Sequence, residues 1–416
     1  MPKVILLSYY FPPVKAIGSI RNLNIAQQFA KNYDDVIVFS SSLDVLEQNW
    51  KGIGIKPYDI KHLLSQKSTN GGKKSAITSS SNLKTKLMNS FPLSLILGEG
   101  GLIYSIRILK KLWKYRKDDV ILYSSYRPIA DHHIAYIFKL ISKNTFWIAD
   151  YRDVLFDKDV LDVFLPGFQE KLYSRLTKKA DILTTVSKGL AAFFETYNDN
   201  IFVLRNGVEN SANAVAADSL VNKDKFNISY TGALYKGRRD PSVLFRALRS
   251  LLDKHPRFES QIELHYAGRE GGLWNDFVDQ FGLSKINNCH NLVTRDQSLL
   301  LQKESNINLL LSWCSPNNQG ILTGKFFEYL KAKNPIITLI SGDQDIEFEE
   351  IFSKDNIGIL AYNSQVEKIE EYLLVLYNSW MSNDYQQHLI DDRVVNSYNW
   401  DNTFIEFYEK INTQLA

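Results

Sequence analysis

The chain has 416 residues, of which 44% are hydrophobic, 12% aromatic and 23% charged. That length exceeds one ordinary core and predicts two domains of a globular protein, excluding wholesale disorder, a collagen-like fibre and a small disulfide scaffold. The net charge of +3 hides an asymmetry, because residues 1–210 carry ten more basic than acidic side chains and residues 211–416 seven fewer.

The first apolar run, Val4–Ser8, reads as a strand and is too short for a signal h-region. Ser19–Tyr33 follows with Ile20, Leu23, Ala26, Phe29 and Ala30 on one helical face. Further strands are expected at Val36–Ser41, Val120–Ser124, Phe146–Tyr151, Ile182–Val186 and Phe202–Arg205. A second series is expected at Ile228–Thr231, Ile262–Ala267, Asn291–Thr294, Ile307–Ser312, Pro335–Ile340 and Ile357–Ala361. Strands alternating with helices in this way predict an α/β protein with parallel, doubly wound sheets. Two polar stretches break the rhythm: Gln66–Asn82 reads as a surface loop, and Glu209–Lys225 as the boundary between two halves. Tyr398–Lys410 reads as a terminal amphipathic helix carrying Trp400, Phe404, Phe407 and Tyr408. No apolar run approaches the ~18 residues of a membrane span. Cys289 and Cys314 are too few for a disulfide framework, which suits a reducing, cytoplasmic setting.

Ligands of doubly wound sheets bind beyond the carboxyl ends of the strands, so the chemistry is sought there. After the first strand, Pro12-Pro13 stiffens a loop and Gly18 opens a helix whose amides can face an anion or simply close a turn. Asp150, Arg152 and Asp153 crowd the end of a later strand, either as an ion-pair cluster or facing a cleft. His132 and His133 begin a helix and point to different sides, so at most one reaches a site; His132 is the candidate. In the second half, Gly232 precedes Lys236, Arg238 and Arg239, a plausible diphosphate cradle. The last motif opens a helix with Thr323, Gly324, Lys325 and Glu328. Lys325 and Glu328 are three residues apart and share a face, so a cation and a carboxylate can grip a phosphate and a vicinal diol, as in a nucleotide.

Taken in order, the Pro12–Arg21 loop, Ala149–Asp153, Ala180–Ser187, Arg205–Val208, Tyr230–Pro241 and Thr323–Leu330 resemble the family 4-type glycosyltransferases of bacterial envelope polysaccharide biosynthesis. The resemblance covers nearly the whole chain. It implies the GT-B architecture, two facing Rossmann-like domains with a cleft between them. Residues 1–208 would form the acceptor-binding domain, joined by the helix 398–416, and residues 209–397 the donor-binding domain. It further implies sugar transfer, with retention, from a UDP- or GDP-linked sugar to a saccharide acceptor. A lipid-linked acceptor is expected from the basic, apolar stretch between Ile60 and Lys117, and no metal or other cofactor is expected because Lys325, Arg239 and the Gly18 amides can stabilise the leaving diphosphate. Glu328 then meets the ribose hydroxyls, Lys325 and Arg239 the diphosphate with Lys236 as a second candidate, Arg295 the base region, and Gly18 the donor phosphates.

Two departures stand out. Many members carry a second glutamate eight positions before Glu328, where this chain has Gly320, leaving Asn318, Gln319 or backbone amides to hold the sugar. Arg152 occupies a strand end where relatives often place a catalytic histidine; Asp153 or Asp150 is the candidate base, or a group that orients Arg152, and His132 is a further candidate catalytic residue. Asp157 with Asp159, and Asp343 with Asp345, are read as acidic loops rather than metal ligands.

Between Ile60 and Lys117 twelve basic residues face one acid, Glu99, in the stretch that includes the apolar run Phe91–Gly101. That combination suits an anionic membrane surface at the inner face of the cell membrane, or equally a basic loop over a local cluster. Nucleic acid is not expected, since the cations are not interleaved with aromatics on a recognisable module. A sugar-nucleotide epimerase of the same fold, needing no acceptor, and a non-catalytic nucleotide-sugar-binding protein are the alternatives.

Overall fold

The computed structural model describes residues 1–14, 17–41, 46–47, 50–54, 83, 86–87, 90–97, 100–153, 163–209, 217–315, 319–320 and 322–416. The expected loop Gln66–Asn82, the pair Asp157 and Asp159, and Asn318 lie outside the described residues. The chain divides into two compact units. The first comprises residues 1–186, 190–204 and 407–416, the second residues 187–189 and 205–406. The division falls at 204/205, just ahead of the polar stretch that begins at Glu209.

The first unit holds strands β1 (Lys3–Leu7), β2 (Val36–Ser40), β3 (Leu46–Glu47), β4 (Trp50–Gly54), β5 (Asp119–Ser125), β6 (Asn144–Tyr151), β7 (Ile182–Thr185) and β8 (Ile201–Val203). They form one sheet in the order β3-β4-β2-β1-β5-β6-β7-β8, parallel except for the short β3–β4 pair. Strands β1 and β5 pair in register from Lys3↔Val120 to Leu7↔Ser124. The order reverses between these two strands, which makes their carboxyl ends the switch point of the sheet. Strands β3 and β4 were not anticipated; their sequence, Leu46–Gly54, mixes charge, glycine and one tryptophan with no clean alternation.

The second unit holds β9 (Phe226–Thr231), β10 (Ile262–Ala267), β11 (Asn287–Asn291), β12 (Ile307–Cys314), β13 (Ile336–Gly342) and β14 (Gly358–Tyr362). All six are parallel, in the order β11-β10-β9-β12-β13-β14, with the switch point between β9 and β12. The expected strand Asn291–Thr294 is a correction. The paired strand is the polar, half-buried Asn-Asn-Cys-His-Asn at the sheet edge, and Leu292 beyond it is exposed. Edge strands need little apolar character, so the hydrophobic pattern there misplaces the strand by one element length.

Each unit has its own apolar core. In the first, Ile5, Leu7, Leu122, Trp147 and Ala149 of the sheet pack against Tyr104, Ile108, Ile134 and Phe138 of the helices Gly101–Leu112 and Ala130–Ile141. In the second, one sheet face packs on the helices Ser242–Lys254 and Val366–Met381, the other on Gly324–Ala332 and Ile346–Lys354. Burying both faces explains why these strands read as continuous apolar runs. The terminal helix spans Trp400–Leu415, with Trp400, Phe404, Phe407 and Ile411 buried at i, i+4, i+7 and i+11. It begins in the second unit and its last residues belong to the first, where Phe407 stacks near Phe202 (5.2 Å) and Tyr408 meets Tyr33 (5.7 Å).

Candidate functional site

The site in the second unit is built at the β9/β12 switch point. The helix Gly324–Ala332 presents Lys325 and Glu328 together, Nζ to Oε2 at 2.7 Å, both partly buried. Three further groups fix that pair. Gln302 donates through Nε2 to Glu328 Oε2 (3.0 Å) and to Thr231 Oγ1 (2.8 Å), and Lys325 Nζ lies 3.4 Å from Ser298 Oγ. A carboxylate accepts and does not donate, so Glu328 orients the Gln302 amide, and Gln302 orients Glu328 in return. Glu328 Oε1 makes no hydrogen bond among the described residues, leaving it to accept from a ligand hydroxyl. Thr323 occupies the N-cap position without a side-chain capping bond, so the first amides of this helix are not capped by it.

Arg295, Ser298 and Gln302 stand at i, i+3 and i+7 of the helix Arg295–Glu304, on the face that meets Lys325 and Glu328. Arg295 itself pairs with Glu209 (3.0 Å), and Thr294 forms a capping box with Gln297. The structure thus joins Thr323, Gly324, Lys325, Glu328 and, one turn away, Arg295.

The loop after β9 corrects the expectation of a phosphate cradle around Gly232 and Lys236. Tyr235, Lys236 and Gly237 adopt positive φ (50°, 56° and 87°), curling the backbone into a nest. That nest is filled by the protein's own Glu270 carboxylate, which accepts from the amides of Leu234 (2.5 Å), Tyr235 (3.0 Å) and Lys236 (3.0 Å). Burial opposes the charge on Glu270, yet the three amides and nearby Arg239 hold its carboxyl below the usual range. The loop offers a ligand its side chains and not these amides. Arg239 is the notable one. Its guanidinium lies over the rings of Tyr235 (4.6 Å) and Trp313 (5.5 Å), and Nη1 donates to the Ala233 carbonyl (3.3 Å). Its Nε is buried with no hydrogen-bond partner among the described residues, a donor able to meet an anion. Tyr235 is half exposed and tilts on Trp313 at 5.5 Å and 54°, so the two rings form an angled aromatic seat for the cation.

Gly320 explains the missing first glutamate. Its φ is +66°, its amide donates to Asp345 Oδ2 (2.9 Å), and a Cβ there would sit 2.1 Å from Glu347 Oε2. The buried Glu347 carboxylate also accepts from Arg205 Nε (3.0 Å) and the Lys188 amide (2.8 Å). Burial pushes the Glu347 carboxyl up, against the pull of Arg205. A carboxylate therefore occupies the space beside residue 320, delivered from another element. Asp345 caps the helix Ile346–Lys354.

In the first unit the strand-end cluster comes apart by the alternation of β6. Asp150 and Arg152 point to one side, toward the helix Ile17–Asn32, where residues 18 and 21 share a face. Asp150 is sealed: its carboxylate accepts from Arg21 Nη2 (2.7 Å), Arg21 Nε (3.1 Å) and Thr184 Oγ1 (2.8 Å). Arg21 also donates to the Leu204 carbonyl (2.9 Å). Burial works against the Asp150 charge, but Arg21 keeps its carboxyl below the ordinary value. This geometry is that of a brace. Arg152 donates through Nε to the Tyr126 carbonyl (2.8 Å), and its guanidinium covers Gly18 so closely that a Cβ there would lie 1.8 Å from Nη1. A cation at the amino end of a helix is held against the macrodipole, which favours an anion beside them. Asp153 is the exposed member of the cluster.

His132 is fully buried. Trp147 Nε1 donates to Ser124 Oγ (2.9 Å), so the single Ser124 hydrogen goes to His132 Nδ1 (2.8 Å). The proton of the neutral ring then sits on Nε2, which has no partner among the described residues, and burial pushes the ring pKa down to about 3. His133 is buried as well, and burial brings it to about 4. Neither vicinal histidine is displayed at the surface. Their neighbour Asp131 carries no motif in the sequence. It sits against the end of β1, accepting from the Tyr9 amide (2.7 Å) and Tyr104 hydroxyl (3.1 Å), and burial raises its carboxyl to about 7.

Residues missed from sequence were those acting at a distance along the chain. Glu270 lies three positions beyond the expected strand Ile262–Ala267, while Gln302, Trp313 and Glu347 carry no motif.

Comparison with known proteins bears on the fold. No protein-family model matches the chain, and no curated protein matches it in sequence. Solved structures match over essentially its full length. The sucrose-phosphate synthase of Thermosynechococcus elongatus is 11% identical with a TM-score of 0.60, covering 100% of this chain and 99% of its own. Trehalose-6-phosphate synthase, in work on enzymatic glycosyl transfer with retention, gives 12%, a TM-score of 0.62 and 99% of both chains. The E. coli trehalose-6-phosphate protein bound with UDP-2-fluoro glucose gives 13%, 0.57 and 98% of both chains. WaaG, a glycosyltransferase involved in lipopolysaccharide biosynthesis, gives 14% and 0.52 over 97% of this chain and 99% of that one. The fold is GT-B. Likeness at such identity carries the architecture of two Rossmann-like units and leaves activity to the site's own chemistry.

Proposed function

We propose that this GT-B protein is a glycosyltransferase that moves a sugar from a nucleoside-diphosphate sugar, UDP- or GDP-linked, to a saccharide acceptor. The observation that carries the reading is the Lys325–Glu328 pair held by Gln302 at the β9/β12 switch point, with a free carboxylate oxygen suited to a vicinal diol. Arg239, whose buried Nε has no partner among the described residues, supplies a second cation seated over the rings of Tyr235 and Trp313. Departure of a diphosphate develops negative charge on the leaving oxygen, and each fixed donor to that charge is typically worth ~2.7–4 kcal/mol of barrier. Lys325 and Arg239 are assigned that work, without a metal.

The trehalose-6-phosphate synthase likeness supports retention, in which the leaving phosphate itself accepts the acceptor proton. With Asp150 sealed by Arg21, Asp153 is the remaining carboxylate of its cluster for orienting the acceptor. WaaG supports an envelope saccharide, including a lipid-linked one, as acceptor.

Calorimetric titration with UDP, GDP and ADP tests the donor half of the reading: Lys325→Ala should weaken the preferred diphosphate at least tenfold. Incubation with the matching sugar nucleotide and a saccharide panel tests the transfer. Diphosphate binding that ignores Lys325→Ala and Glu328→Gln, or conversion of the donor to an epimer with no acceptor present, would count decisively against it.

A further inference from the structure

The helix Gly101–Leu112, continued by the 3-10 turn Trp113–Tyr115, has three faces and not two. Tyr104, Ser105, Ile108 and Leu112 are buried against the first unit's core. Leu102, Ile106, Leu109 and Trp113 stand at i, i+4, i+7 and i+11, a second apolar stripe about one residue wide. That stripe is turned outward: Leu102 is 41%, Ile106 43% and Trp113 52% exposed, with Leu109 half-buried. The third face is basic. Lys110 and Lys114 border the stripe on the side away from the core, Arg107 and Lys111 lie beyond them, and residues 101–117 contain no acid at all.

The neighbouring helix Ala130–Ile141 extends the apolar surface. It runs beside the first with both ends matched: a Cβ on Gly100 would lie 2.8 Å from the Ala130 Cβ, and the Lys143 amide meets the Arg116 carbonyl at 3.4 Å. Ile137, Leu140 and Ile141, at i, i+3 and i+4, are exposed on it. Trp113 carries the Arg116 guanidinium over its ring at 4.6 Å, an amphipathic pair with one apolar and one charged side.

We propose that this two-helix face is a docking surface for an anionic lipid bilayer, with the Leu102–Trp113 stripe entering the headgroup boundary and the flanking lysines meeting lipid phosphates. A helix lying in the bilayer plane needs an apolar strip bordered by cations, which this one has in addition to the face it spends on its own core. A second copy of the chain fits less well, because a self-complementary contact would bring lysine against lysine. An apolar strip of this width has no use against nucleic acid. The surface suits an acceptor carried on lipid, but it stands apart from the donor reading, since vesicle binding needs neither donor nor turnover.

The test is co-sedimentation of the full chain with vesicles of phosphatidylcholine alone and of phosphatidylcholine with about one-third phosphatidylglycerol. Binding is expected to the anionic vesicles only, and to be lost at high salt. Removing a lysine near a charged surface is worth about fivefold, so Lys110→Ala with Lys114→Ala should lower the partition constant about 25-fold. Ile106→Ser with Trp113→Ser should lower it at least tenfold while circular dichroism and melting stay at wild-type values. A charge-matched control, Lys285→Ala with Lys303→Ala on the second unit, should change it less than twofold. Equal binding to both vesicle types, equal loss in the control, or no vesicle binding at all would overturn the proposal. So would self-association that the Ile106→Ser/Trp113→Ser variant abolishes, which would assign the face to a second copy.

Discussion

Asp150→Asn separates a brace from a base. The substitution leaves the Arg21 guanidinium 2% exposed in side-chain terms and facing a neutral amide where a carboxylate had accepted two of its hydrogen bonds. Removing one partner of a buried ion pair typically costs about 3–5 kcal/mol, because the remaining charge stays desolvated. In a unit of this size each kcal/mol moves the melting midpoint roughly 2–4 °C, so a fall of about 6–20 °C is expected. Scanning calorimetry should place that fall in a transition belonging to the first unit, since Arg21, Asp150, Thr184 and Leu204 all lie there. Replacing both partners, Arg21→Met with Asp150→Leu, removes the stranded charge and should recover more than half of the loss. An Asp150→Asn protein that melts with the wild type but no longer turns over would refute the reasoning and return Asp150 to the chemistry.

Glu328→Gln keeps the shape of the diol-binding group but loses its charge and its grip on Lys325; nucleoside diphosphate affinity should fall about 10- to 100-fold in calorimetry. Trp313→Ala removes one ring from beneath Arg239, and a loss of about 1–2 kcal/mol in donor binding is expected, measured by the same titration. Gly18→Ala would drive a methyl into the Arg152 guanidinium, so the arginine must swing away. Phosphate-analogue protection of the first unit in hydrogen exchange should then weaken, with little change in melting. His265 is buried, donates to Asn227 Oδ1 (2.9 Å) and stacks on His290, and burial brings its pKa down to about 4. Its neutral form is favoured by folding, so its contribution is full above pH 6.5 and is lost as pH falls toward 4. His265→Asn should flatten urea-unfolding stability over that window by up to about 3 kcal/mol relative to wild type.

Most of the architecture could be read from the alternation of β-branched runs and amphipathic stretches, because parallel strands covered on both faces must be apolar end to end. The edges escaped that logic. β11 is a row of asparagines with one cysteine and one histidine, and pairs through its backbone alone on one side. At the site, Lys325 and Glu328 were legible since a helical spacing of three fixes their common face. The fate of Asp150 was not, because its partner Arg21 is 129 positions away and local sequence gives no sign of which charges will meet. The same holds for the Gly232 loop: glycine and cations suggest a diphosphate cradle, whereas the loop amides meet Glu270 from the next strand end. Sequence identifies the kind of charge a turn will accept and leaves open whether the chain supplies it internally.

The terminal helix ties the ends of the chain to one fate. Phe407 and Ile411 are wholly buried in the unit that begins at Met1, and Asn200 reaches Gln414 within it. A fragment stopping at Leu204 would uncover the rings of Tyr33 and Phe202, however intact its sheet. Neither half can be liberated by a single scission, and the first unit cannot complete itself until the segment from Phe407 onward has been synthesised.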